Sequence, residues 1–104
     1  MSEQEKLAML KSDLQMLTSA NDGYLTTLLG VAEAAMTREG IADDESADYY
    51  AAQISYAAYL FRKRAANTSG SGEFAVSGGE TAMPRFLRYM LNNLVISQKL
   101  GGDT

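Results

Sequence analysis

The stretch "DGYLTTLLGVAEAAMTREG", Asp22 to Gly40, decides the fold. Leu25, Leu28, Leu29, Ala32, Ala35 and Met36 recur at spacings that place them on one side of an α-helix. Asn21 or Asp22 can start that helix, Glu39 ends it, and Gly40 offers the left-handed backbone that stops it. Upstream, Ser2-Glu3-Gln4-Glu5 has capping-box spacing, with the serine oxygen accepting from the Glu5 amide while the Glu5 side chain reaches back. Leu7, Leu10, Leu14 and Leu17 then form a narrow helical stripe, and the turn formers of "TSANDG" interrupt it. The expectation is a helical hairpin packed through leucines.

Working toward the C-terminus, "IADDESAD" (residues 41–48) reads as a solvated acidic link that opens a third helix, since acids suit the positive dipole end. "YYAAQISYAAYLFRKR" continues it, with Tyr49, Tyr50, Ile54, Tyr56, Ala57, Ala58, Leu60 and Phe61 as a broad apolar surface. Alanines among tyrosines permit close helix approach. Arg62-Lys63-Arg64 are expected at its carbonyl-rich end. Residues 65–82 form a long Gly/Ser-rich connector, and long connectors in compact domains tend to be functional or mobile. Within it Glu73-Phe74-Ala75-Val76-Ser77 alternate like a short strand, with Gly78-Gly79 able to turn a hairpin. Such a strand would pair with itself, with a neighbouring copy's, or not at all. After the only proline, Pro84, a fourth helix is expected. It should bury Phe86, Leu87, Met90, Leu91, Leu94 and Val95, turn Arg85, Arg88, Asn92 and Gln98 outward, and close at Gly101-Gly102 before a polar tail, 101–104. The fold class is all-α: one domain over residues 1–104, a bundle of about four helices with one long loop before the last.

A chain of 104 residues, 46% apolar, supports one modest core. With no cysteine and no histidine, disulfides, thiolate metal sites, cysteine nucleophiles and the commonest general base are all missing. Neither a signal-like segment nor a membrane span is legible, so a cytoplasmic protein without cofactor or metal is expected. The net charge of −4 argues against a protein that coats nucleic acid. The charge is also split. Residues 1–48 carry ten acids against three bases, −7, while residues 49–104 carry three acids against six bases, +3. The halves are matched either within one chain or from one copy to the next.

Chemical motifs are lacking. "GSGEFAVSGG" has glycines but no Gly-Lys-Ser/Thr ending, so it is no phosphate loop. "DDESAD" lacks the glycine and the glutamate of a calcium loop. The carboxylates have no companion nucleophile or oxyanion donor, which argues against an enzyme. The first two helices lack the basic recognition face of a helix-turn-helix. The local oddity is Arg85, Arg88, Tyr89, Asn92 and Asn93 on one acid-free helix. Either the arginines cap the acidic half, or they form an interface, where Arg and Tyr are enriched.

Together, "YAAYLFRKR", a glycine-rich loop containing "GEFAVSGG", and "MPRFLRYMLNNLVISQKL" resemble the head–tail connector (adaptor) proteins of tailed bacteriophages and prophages. The opening "LKSDLQMLTSANDGYLTTLLGVAEAAM" is similar to the same family's start, so the likeness spans nearly the whole chain. The resemblance implies a non-enzymatic virion protein of the head–tail junction, held in the host cytoplasm before assembly. Such proteins form closed homo-oligomeric rings, usually twelve-fold in the virion, beneath the portal, extend the DNA channel, and dock a stopper or tail-completion protein. DNA would pass without specific binding, and no membrane is involved. Candidate interface residues are then Arg62, Arg64, Arg85, Arg88, Tyr89 and Asn92, with Asp43 and Asp44 from the acidic link and Glu73, Phe74 and Val76 from the loop. The competing expectation is a phage DNA-packaging accessory, a small nucleic-acid-recognition subunit.

Overall fold

A computed structural model describes residues 1–68 and 83–101. It is a small helical bundle in chain order α1 (Glu3–Leu14), α2 (Asp22–Arg38), α3 (Ala47–Thr68) and α4 (Arg85–Gly101). No strand occurs among the described residues, and the strand-like segment 73–79 lies outside them. The third helix is the spine. Helix α1 packs on α2 and α3, while α4 packs on α3.

Two clusters of buried side chains divide that spine. One joins Leu10 of α1, Leu25, Leu28, Leu29 and Ala32 of α2, and Ile54, Ala57 and Ala58 of α3. The other joins Met36, Ile41, Tyr49, Tyr50 and Ala52 to Leu87, Leu91 and Leu94 of α4. All six apolar positions expected on α2 are buried. Alanines on α2 and α3 let those helices approach closely, and a buried amide crosses between them: Gln53 Nε2 donates to the Leu29 carbonyl at 3.0 Å. Lys6 buries its aliphatic stem against the bundle, with Nζ 5.1 Å from the centre of the Tyr50 ring, a cation–π contact.

The capping box at α1 is present in both directions: Ser2 N–H donates to Glu5 Oε1 at 2.7 Å, and Glu5 N–H donates to Ser2 Oγ at 3.1 Å. The leucine stripe, however, stops early. Helix α1 ends at Leu14, and Leu17 is 97% exposed. Gln15 enters the left-handed region at φ 58°, and Met16 N–H donates to the Lys11 carbonyl at 2.9 Å. This is a Schellman stop, made by glutamine where glycine is usual. Gly40, with φ 89°, ends α2 as expected.

The acidic link behaves differently from the dipole expectation. Asp43 and Asp44 precede α3 and accept from the backbone N–H groups of Glu45 and Ser46 at 2.9 and 3.0 Å, two Asx turns in succession. Ser46 then caps the helix by accepting from Tyr49 N–H at 3.0 Å, leaving Asp48 as the acid of the first turn. At the other end α3 runs past Arg62-Lys63-Arg64 to Thr68, because Ala65 and Ala66 are strong helix formers. The basic triplet therefore lies within the helix and does not cap its end, and residues 65–68, expected in the connector, belong to the helix.

Candidate interaction surface

Pro84 directly precedes α4, and its carbonyl accepts from Arg88 N–H at 3.1 Å. The helix is attached to the bundle by one apolar row, Leu87, Leu91 and Leu94, with Met90 and Val95 half-buried at its edges. Polar staples reinforce that row. Arg88 forms a fork with Glu39 of the α2 end, its Nη2 on Oε1 and its Nη1 3.4 Å from Oε2. Gln98 makes a reciprocal pair with Ala42: Nε2 donates to the carbonyl at 2.7 Å, and Oε1 accepts from the N–H at 2.8 Å. Arg88 and Gln98, expected to face outward, are thus half-buried because they bond across the edge of this contact.

Phe86 departs most from expectation. It was expected in the core and is 69% exposed. A second apolar row runs down the opposite side of α4: Phe86, Tyr89, Ile96 and Leu100, all between 57% and 69% exposed, with exposed Asn93 among them. Positions 86, 89, 93, 96 and 100 alternate spacings of three and four, the spacing of a heptad seam. Arg85, Asn92 and Lys99, each seven residues apart and all exposed, form a polar and basic row along one flank. Along the other flank lies a shallow groove between α4 and the start of α3, lined by Asp44, Ser46, Asp48, Met90, Asn93 and Ser97. Hydrogen bonding to Ser46 holds the Asp44 carboxyl below the usual range, so this flank keeps its negative charge.

The candidate interface residues fall into four groups. Tyr89, Asn92 and Arg85 are together on the outward side of α4, and Arg85 makes no ion pair with a described residue. Arg88, Arg62 and Arg64 serve the subunit itself. Arg62 lies 3.6 Å from Asp13 Oδ2 and donates to the Asp13 carbonyl at 3.3 Å, and the Arg64 guanidinium lies 4.7 Å from the Tyr24 ring centre. Asp43 and Asp44 make the turns before α3. Glu73, Phe74 and Val76 lie outside the described residues. Ile96 and Leu100 were missed as surface residues, although the three-four spacing from Phe86 to Leu100 was legible in the sequence.

Among the described residues no group of three His, Cys, Asp or Glu is placed to hold a metal ion, and no helix is long and apolar enough to cross a membrane. The molecule belongs to the class of small all-α bundles, with an outward apolar helix row as its most distinctive surface. No family model, no curated protein and no solved structure matches this chain.

Proposed function

We propose that this protein is a structural assembly subunit, a head–tail adaptor that joins a ring beneath a phage portal, lengthens the DNA channel and receives the next tail or stopper component. The observation that carries the reading is the outward row Phe86, Tyr89, Ile96 and Leu100 on a stapled helix. Aligned large apolar side chains on a rigid element form a surface suited to burial against another protein. The sequence resemblance supplies the kind of assembly. The acidic balance of the chain fits a channel wall that lets DNA slide, because phosphate binding needs lysine and arginine clusters. Arg62 and Arg88 are engaged within the subunit, which leaves Arg85, Asn92 and Lys99 as the cationic and polar complement to the apolar row.

The test mixes the purified chain with purified rings of phage portal protein and examines the particles by electron microscopy and co-sedimentation. An added annulus on one face of the portal is expected, together with no retardation of duplex DNA at moderate salt. A chain that leaves portal rings bare would overturn the adaptor reading. Retardation of DNA in the same assay would favour the packaging accessory instead.

A further inference from the structure

We infer that α4 docks against α4 of a second copy of this chain, in parallel, through the outward seam formed by Phe86, Tyr89, Asn93, Ile96 and Leu100. This goes beyond the ring reading and does not depend on it. A two-fold pair closes on itself, whereas a ring joins unlike surfaces, so the pair would be a state of the free chain.

The heptad spacing sets the geometry. Phe86, Asn93 and Leu100 occupy one core position of the repeat, and Tyr89 and Ile96 occupy the other. The opposite face of α4 is taken by its own bundle through Leu87, Leu91 and Leu94. A lone asparagine in such a seam pairs with its own copy across the two-fold and specifies register and two-stranded association.

Charge selects the occupant and its direction. One flank of the seam carries Arg85, Asn92 and Lys99; the other carries the groove with Asp44 and Asp48, both exposed. When two copies pack in parallel about a two-fold along the helices, the basic flank of each meets the acidic flank of the other. Antiparallel packing would instead set basic flank against basic flank, which is repulsive. Arg85, without an ion-pair partner among the described residues of its own chain, then approaches the Asp44–Asp48 groove of the second copy. The seam covers about four helical turns, too little for a coiled coil alone. Here the helix is already ordered by its bundle, so pairing needs no new folding.

The experiment uses the full chain in analytical ultracentrifugation, with circular dichroism as the control for folding. The wild-type chain should be in monomer–dimer equilibrium. Ile96→Asp should weaken the dimer at least tenfold without changing helicity. Arg85→Asp should weaken it several-fold, with recovery in Arg85→Asp/Asp48→Arg. Because the chain has no cysteine, Tyr89→Cys reports direction. Oxidation should give a covalent homodimer from Tyr89→Cys alone, while a mixture of Phe86→Cys and Leu100→Cys chains should give little mixed product. Efficient 86–100 cross-linking without 89–89 would overturn the parallel arrangement. A wild-type chain that stays monomeric at high concentration would overturn the pairing altogether, and would assign the seam to residues 69–82 or to a foreign chain. Either failure leaves the portal experiment standing, so the two readings are distinguishable.

Discussion

The two ends of α3 are held by different means. From its middle onward, α3 meets the α1–α2 hairpin through Leu10, Leu25, Leu28 and Leu29 against Ile54, Ala57 and Ala58, with Gln53–Leu29 and Arg62–Asp13 as polar links beside that apolar core. Toward its N-terminal half, it meets α4 through one leucine row framed by the Arg88–Glu39 and Gln98–Ala42 staples. The hairpin end buries the leucines of its core inside the subunit and leaves only scattered apolar positions, Met9, Leu17 and Val31, exposed. The α4 end keeps a second apolar row outside. The first arrangement suits a finished core, the second an element that also serves a partner.

The largest effect that tests this contrast comes from truncating the two leucine sets. Leu25→Ala should destabilise the whole fold by about 3–5 kcal/mol in urea denaturation, since Leu25 is fully buried among three helices. Leu91→Ala, also fully buried, should fall lower, at about 2–3 kcal/mol, because only α4 depends on it. Hydrogen exchange should show α4 opening before α1–α2 in that variant. Equal loss of protection throughout would erase the distinction between the ends.

A smaller effect comes with pH. Burial pushes the Tyr49 phenol up to about 12, helped by Glu33 and Asp43 nearby. The unfolded chain releases this proton near the ordinary value, so the folded state is disfavoured progressively as pH rises from about 10 toward about 12. Stability is therefore complete below pH 10 and should fall by on the order of 2 kcal/mol across that window. Tyr49→Phe should flatten the slope. Below it in size is Arg88→Ala, which leaves Glu39 without its fork and removes packing at the rim. About 1 kcal/mol is expected, reduced by solvent access, and it should shrink further in salt. Smallest of all, Ile96→Ser and Phe86→Ser should change monomer stability by less than about 0.5 kcal/mol while weakening association. A large stability loss from either would mean the row belongs to the core.

Much of the fold was legible because local signals agree with packing. Ser2 and Glu5 cap what they were expected to cap, and the α2 face from Leu25 to Met36 is buried position by position. Where the reading failed, tertiary choices decided. The stripe to Leu17 was cut by a glutamine adopting the turn that glycine favours, which no propensity scale marks. The basic triplet was mistaken for an end because two alanines, silent in a charge reading, carry the helix onward. The surface on α4 was only half legible. Both apolar rows have helical spacing, so periodicity alone could not say which one faces the bundle. Arg88 and Gln98 settle it, and their partners Glu39 and Ala42 are far away in sequence.

The Gln53 amide has one more consequence. Helices faced with alanine are smooth, and a smooth contact permits neighbouring rods to slip by a turn at small loss of apolar area. The bond from Gln53 to the Leu29 carbonyl acts as a detent against such sliding, because a shift would strand a buried amide donor. One polar side chain thus sets the alignment of α2 against α3, the longest rod of the described body, and with it the position at which α4 and its outward seam are presented.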